Sequence, residues 1–271
     1  MVNIAVTGGA GFLGRAAIQA ADDAGYNVWS FDREDGDDVL GNLSTLEGAD
    51  TVIHLAGLLG TSELFDRAED AVSVNVIGTL RILEWCRNNN AGYVGITMLP
   101  VFPSVYTATK VCAQRLATAW HKAYGLSVSH IRAFNAYGPH QAHGSGHPQK
   151  ILPMFARAAW QNDPIPVWGD GTQTVDLVHA DSVGRMLVDA IRFGSDEVFD
   201  AGTGVPVTVN QVAEFVIRVT GSTAGIRYLP MRPGEEPTQV VAAGEGWGLL
   251  DWRPELNWGW VEDAVRWYRD V

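Results

Sequence analysis

Tyr106 and Lys110 lie four residues apart in a stretch of helical periodicity, residues 105–124, so both project from one helical face. The pairing suits proton transfer. An ammonium beside a phenol favours the phenolate, lowers its pKa and readies it to take a proton near neutrality. As an isolated spacing, Tyr-x-x-x-Lys equally describes an amphipathic helix with a half-buried tyrosine and a solvated lysine. Two other groups favour the chemical reading. Thr7-Gly8-Gly9-Ala10-Gly11-Phe12-Leu13-Gly14 runs between a short apolar strand and a helix. Its glycines at 8, 11 and 14 permit a tight turn and close approach of a pyrophosphate to unsatisfied N–H groups at the helix start. Asp32, ending the second strand, can accept hydrogen bonds from both adenosine ribose hydroxyls and would repel a 2′-phosphate, favouring NAD over NADP. Arg33 beside it could receive that phosphate instead. An oxidised nicotinamide would add its positive charge to that of Lys110 in lowering the Tyr106 pKa.

The elements that must position these groups alternate. Strands are expected at 2–6, 27–31, 51–56, 93–97 and 127–131, with helices at 12–24, 66–87 and 105–124 between them. The almost continuously apolar 51–56 suits a central parallel strand covered on both faces. The series predicts an α/β fold, a Rossmann-type doubly wound parallel sheet, with residues 1–134 as the dinucleotide-binding core. After a Gly/His/Pro-rich loop at 138–150 the pattern becomes mixed, with helices at 151–161, 181–192, 209–219 and 260–268 and extended pieces at 165–168 and 197–200. Residues 135–271 are expected partly to complete the sheet and partly to form a smaller substrate-binding lobe. The Trp-rich tail (Trp247, Trp252, Trp258, Trp260, Trp267) reads as packing rather than ligand stacking.

Composition narrows the partners. The 271 residues include 46% hydrophobic and 18% charged residues, which fits a globular protein. A formal charge of -12 argues against a nucleic-acid surface. Cys86 and Cys112 both fall in helical patterns and read as buried thiols, which fits a reducing, cytoplasmic setting. No basic leader or long apolar run predicts a signal peptide or membrane span. His140, His143 and His147 have spacings of three and four but no cysteine or carboxylate close in sequence, so no metal site is expected. His54 reads as structural or cofactor-adjacent, and His179 as ordering the turn before its helix.

The order of motifs carries more than any one of them. After the glycine turn and Asp32 come His54-Leu55-Ala56-Gly57, Asn75-Val76-Ile77-Gly78-Thr79, Tyr106-Thr107-Ala108-Thr109-Lys110 and Arg132-Ala133-Phe134-Asn135-Ala136-Tyr137-Gly138-Pro139. Trp168-Gly169-Asp170-Gly171-Thr172-Gln173-Thr174, Val178-His179-Ala180-Asp181 and Arg232-Pro233-Gly234-Glu235 follow. Over nearly its whole length the chain resembles the extended short-chain dehydrogenase/reductase family, in particular its NAD-dependent nucleotide-sugar epimerases and dehydratases. The resemblance implies that Tyr106 is the catalytic acid or base and that Lys110 also bonds the nicotinamide ribose. It implies cofactor contacts from Gly8, Gly11, Phe12, Leu13, Gly14, Asp32, Arg33, Asp38, Val39, Leu55, Ala56 and Gly57, with Asn75 supporting that side. Asn135 and Arg232 would approach the substrate diphosphate, and the segment from Leu152 to Trp168 would enclose the nucleotide base. A homodimer built from the helices at 66–87 and 105–124 is expected, with Leu80, Leu83, Leu116 and Trp120 on apolar faces that permit it and that could equally serve the core of one chain.

The chain departs from the family at the reacting end. The usual serine or threonine partner of the tyrosine, and the long loop after it, are missing, and Tyr106 comes nine residues after Thr97. Thr97 is the candidate replacement; Met98, which has no hydroxyl, would take the place in another register, and Ser104 reads equally as a helix cap. The acidic pair of the dehydratase branch is replaced by Met98 and Leu99, which disfavours dehydration. Residues 32–51 leave room for little of the usual third strand, with Asp38-Val39 nearest the adenine. Thr174-Val175-Asp176 lacks an arginine that many relatives carry before the aspartate. The leading expectation is a 4-epimerase of a nucleoside-diphosphate sugar working through a transient 4-keto intermediate. The alternatives are a net reductase or oxidase of a nucleotide sugar and a catalytically silent NAD- or nucleotide-sugar-binding homologue.

Overall fold

The computed structural model describes residues 2–144 and 147–271. β1 (Asn3–Thr7), α1 (Phe12–Asp23), β2 (Asn27–Phe31) and β3 (Thr51–His54) open the chain. α2 (Ala68–Val72), α3 (Thr79–Asn89), β4 (Gly92–Thr97), α4 (Val105–Tyr124) and β5 (Val128–Ala133) follow. Then come β6 (Asn135–Tyr137), α5 (Ile151–Trp160), β7 (Ile165–Trp168), β8 (Thr174–Val175), β9 (Leu177–His179) and α6 (Ala180–Asp189). β10 (Ser195–Ala201), β11 (Val207–Thr208), α7 (Val209–Thr220), β12 (Ile226–Leu229) and α8 (Trp258–Trp267) complete it.

Six strands form one parallel sheet in the order β2-β1-β3-β4-β5-β10. The chain leaves β1 toward β2 and returns to β3 on the other side, so the order reverses between β1 and β3. In open sheets of this kind the crevice outside the carboxyl ends at that reversal takes ligands. Alternation along each strand feeds two cores. Ile4, Val6, Ile53 and Val94 pack toward α1 and α6, and Ala5, Val52 and Tyr93 face a cluster built with α3 and α4. α5, α7 and α8 close a third core around Phe155, Val212 and Val265, with the β7–β12 pair against it. The predicted doubly wound sheet and smaller C-terminal lobe are therefore present.

Several expectations need correction. The single helix at 66–87 is broken by a π-helical turn, Ser73–Gly78, between α2 and α3. Within that turn the Asn75 carbonyl accepts a hydrogen bond from Thr79 Oγ1 at 2.7 Å. Past His54 the β3 ladder gives out: Leu55 N still donates to the Thr7 carbonyl of β1 at 3.0 Å, but Ala56 N goes to the Thr7 side chain, Oγ1, at 3.2 Å. β7 matches the extended piece expected at 165–168, but its partner β12 and the two- to three-residue pairs β6–β9 and β8–β11 are too short to show a period in sequence. Cys86 is buried as expected, but Cys112 is exposed on α4. Leu83 is buried, and Leu116 and Trp120 pack against the same cluster, so these residues serve the core of one chain.

Candidate active site

The glycine turn is set by close approach. Gly8 has φ +73°, and a Cβ added there would lie 2.7 Å from the Ala56 backbone nitrogen. A Cβ at Gly14 would overlap the Gly8 carbonyl oxygen. Gly14 thus lies buried beneath the turn, while Gly8, Gly11, Phe12 and Leu13 line a cavity of about 560 Å³. Gly11 is the N-cap of α1 and brings no side chain to its first N–H groups, which leaves them for an anion.

Asp32 lines the same cavity. Its Oδ2 accepts from Ala10 N and its Oδ1 from Glu34 N, both at 3.1 Å, which fixes the carboxylate against the turn. Arg33 Nε donates to Asp38 Oδ2 at 3.0 Å, so the guanidinium is already paired. Arg33, Asp38 and Val39 all face the cavity, together with Asp37, which sequence reasoning missed. Three carboxylates beside one paired arginine disfavour a 2′-phosphate.

Leu55, Ala56 and Gly57 continue the wall. A methyl group on Gly57 would lie 3.1 Å from Lys110 Nζ and 2.9 Å from Asn75 Oδ1, so the backbone here runs directly against both. Asn75 stands behind the cavity. Its Nδ2 donates to Leu58 O and to Thr109 Oγ1, both at 3.0 Å, and its Oδ1 accepts from Leu58 N at 2.8 Å. It therefore ties the loop after β3 to α4.

His54 is structural, as one of its two sequence readings had it. Thr79 Oγ1 gives its proton to the Asn75 carbonyl, so it accepts from His54 Nε2–H at 3.0 Å. Nδ1 is left to accept from the Thr7 hydroxyl at 2.7 Å. Burial first, and the Lys110 charge second, hold its pKa at about 3. The ring is a neutral strut between β1 and the π-helical turn.

Tyr106 and Lys110 both line the cavity from α4, whose start is capped by Ser104 Oγ accepting from Thr107 N at 3.2 Å. Ser104 is thus occupied as a cap. No hydrogen bond joins the Tyr106 and Lys110 side chains among the described residues. Burial pushes the Tyr106 phenol up to about 12 and the Lys110 ammonium down to about 8. The expected lowering of the phenol by Lys110 is not met in the protein alone, where desolvation of the phenolate sets the direction. Thr97 is buried at the cavity wall, but its Oγ1 donates to Gln114 Oε1 at 2.8 Å. Gln114 lies four residues beyond Lys110, and the i, i+4 series 106, 110, 114 was the available signal for it.

From the lobe, Asn135 and Leu152 reach the cavity, whereas Trp168 and Arg232 are not among its lining residues. Arg232 stacks over the Trp168 ring at 4.6 Å. Its guanidinium is bound by Glu235, with Nε to Oε2 at 3.0 Å, and lies 3.5 Å from Glu63. Lys150, which the sequence reading passed over, lines the cavity and has no carboxylate within salt-bridge distance among the described residues. Val175, the residue before Asp176 where the resemblance implies an arginine, faces the cavity. Beside it, Gln173 Oε1 and Thr174 Oγ1 are buried without a hydrogen-bond partner, which leaves polar capacity for a ligand. None of the five tail tryptophans lines the cavity. His143 lies 2.7 Å from Arg157 and His140 packs on Trp267. Among the described residues no group of three His, Cys, Asp or Glu is placed to hold a metal, and no helix is long and apolar enough to cross a membrane.

This geometry has known counterparts. A UDP-glucuronate 4-epimerase from Thermodesulfobacterium geofontis is 28% identical over 235 residues, 79% of this chain and 70% of the relative. A dTDP-glucose 4,6-dehydratase from Streptomyces niveus is 26% identical across 99% of this chain and 93% of its own. The solved structure of MoeE5 in complex with UDP-glucose and NAD superposes with a TM-score of 0.87 at 27% identity, covering 99% of both chains. The profile of the NAD dependent epimerase/dehydratase family matches residues 4–97 and 100–202, and the break between the two stretches falls at Met98 and Leu99. The chain belongs to the NAD dependent epimerase/dehydratase family.

Proposed function

We propose that the protein is an NAD-dependent 4-epimerase of a nucleoside-diphosphate sugar. The observation that carries the reading is that Tyr106 and Lys110, on one face of α4, line the same cavity as the glycine turn and Asp32. The residues present fit the dinucleotide: an uncapped helix start faces the cavity, a fixed carboxylate stands at the ribose position, and the Gly57 backbone lies against Lys110. Bound NAD would accept the C4 hydride and return it to the opposite face of the sugar. Tyr106 takes the C4 hydroxyl proton as the hydride leaves and gives it back on return. Lys110 would hold the nicotinamide ribose and keeps a positive charge beside the phenol, to which an oxidised nicotinamide, when bound, would add its own. The apolar walls exclude water while the 4-keto sugar turns over within the cleft. Asn135, Leu152 and the open polar atoms of Gln173 and Thr174 receive the nucleotide from the lobe. Arg232 can join them at the diphosphate only by leaving Glu235.

One observation favours a second reading, an NAD- and nucleotide-sugar-binding protein without turnover: the Thr97 hydroxyl is spent on Gln114. Incubating NAD-loaded protein with C4-deuterated sugar nucleotides separates the readings. Transient reduction of bound NAD with inversion at C4 is expected. Stoichiometric net consumption of cofactor would assign a reductase or oxidase, and binding without reduction would assign the silent homologue.

A further inference from the structure

The connection from β4 to α4 runs Met98-Leu99-Pro100-Val101-Phe102-Pro103-Ser104-Val105 and leads directly into Tyr106. Met98, Leu99, Val101 and Phe102 all line the cavity. The one hydroxyl in the connection, Ser104, caps α4, and the one immediately before it, Thr97, donates to Gln114. Pro100 and Pro103 have no N–H to offer. The wall leading to the reacting tyrosine therefore presents side chains that cannot hydrogen-bond a ligand. In the loop after β3, Leu58 and Leu59 line the cavity too, with Thr61 the one hydroxyl there, and Asn75 fixes the Leu58 backbone through both its N–H and its carbonyl.

A sugar hydroxyl buried against such a wall loses its water partners and gains none. With the C4 hydroxyl at Tyr106, as proposed above, the wall that runs into Tyr106 would border the substituents on the neighbouring ring carbons. On C5 that substituent is the exocyclic carbon, whose oxygen would be stranded here and whose methyl form would be at home. We infer that the cleft selects a nucleoside-diphosphate 6-deoxyhexose, with the C6 methyl seated on Met98, Leu99, Val101 and Phe102. This rests on the nucleotide-sugar reading above and deepens it. Apolar pockets discriminate modestly against an added hydroxyl, by up to about a hundredfold, so the selectivity is a ratio and not an exclusion.

The test uses NAD-loaded wild-type protein and two matched pairs, dTDP-glucose with dTDP-6-deoxyglucose and UDP-glucose with UDP-6-deoxyglucose, with UDP-N-acetylglucosamine as a fifth probe. Reduction of bound NAD is followed for each. A ratio of kcat/KM between about ten and a hundred in favour of the 6-deoxy member is expected in at least one pair. Met98→Gln and Leu99→Asn, which add hydrogen-bonding groups at similar volume, should bring that ratio toward one. Because the ratio is internal to each protein, partial loss of folded enzyme does not mimic the result. A wild-type ratio of one or below, or a ratio unmoved in both variants, overturns the inference and leaves the redox reading intact. Preference for the N-acetyl sugar over both pairs would move the apolar contact to the acetamido methyl and overturn the C6 assignment. No NAD reduction with any probe would remove the redox reading and this inference together.

Discussion

At the β1–α1 turn the cavity wall is backbone: Gly8 and Gly11 expose peptide groups, Gly14 lets the turn close, and Asp32 is clamped by two N–H groups. Between Thr97 and Tyr106 the wall is side chain, with Met98, Leu99, Val101 and Phe102 facing inward and both nearby hydroxyls already engaged. On the proposed reading the first region would meet features that all dinucleotides share, so its geometry admits few alternatives. The second would meet whatever is transformed, and a shorter connection with different side chains can be built there without disturbing the sheet. The two regions are bridged from behind by Asn75 and His54, which hold the loop after β3 against α4 and β1.

The sharpest way to break the backbone region is Gly14→Val. The new side chain would have to displace the Gly8 carbonyl, and overpacking of this kind costs about 1–3 kcal/mol or more. NAD binding measured by calorimetry should be lost altogether, with a lowered melting temperature. Retention of wild-type affinity would show that the turn does not cradle the pyrophosphate. Next in size is Tyr106→Phe at the reacting end. It should slow reduction of bound NAD by about 10²–10⁴-fold, the usual worth of a positioned acid or base, with NAD affinity unchanged. Equal turnover would remove Tyr106 from the chemistry.

Between these extremes lies Lys110, which belongs to both regions. Burial brings its folded-state pKa to about 8 from an ordinary 10.5. A base whose pKa is depressed on folding contributes no penalty above its unfolded pKa, and stability is lost as pH falls through the folded pKa. Stability of the ligand-free protein should therefore rise as pH increases from about 8 toward 10.5, by on the order of 3 kcal/mol when fully titrated. Lys110→Met should remove that rise and be the more stable protein at pH 7. Denaturant melts across this range check it, and a slope shared by both proteins would assign the effect elsewhere.

How much of this was legible in the sequence follows the same division. The glycine spacing, Asp32 and the strand–helix alternation dictate backbone geometry, and the doubly wound parallel sheet and much of the cavity wall beside the turn follow from them. The π-helical turn was not legible, because 66–87 keeps a helical period through Ser73–Gly78 and nothing in the residue types there marks the widened turn. Nor was the fate of Thr97, since its partner Gln114 is distant in sequence and bonding is settled only by the packing of β4 on α4. Arg232 reads from sequence as a free guanidinium, yet Glu235 three residues on and Glu63 from another loop claim it. Lys150 carried no motif, and only the fold shows that it enters the cavity.

Two smaller effects separate recognition from mere proximity at the adenosine end. Asp32→Asn keeps the shape but removes the charge that would hold the ribose hydroxyls. Charge-assisted bonds of this kind are worth about 1.5–3 kcal/mol, so NAD affinity should fall by at least about tenfold while NADP affinity rises relative to it. Arg33→Ala should do almost nothing. Its guanidinium is exposed and already paired with Asp38, and such surface pairs contribute about 0–1 kcal/mol. Affinities for NAD and NADP should each change by less than about fivefold in titrations at physiological salt. If NADP binding instead fell tenfold or more while NAD binding held, Arg33 would be reading a 2′-phosphate. Asp38 would then be a partner it leaves on binding, and the carboxylates around it would have to tolerate an anion that their charge is expected to repel.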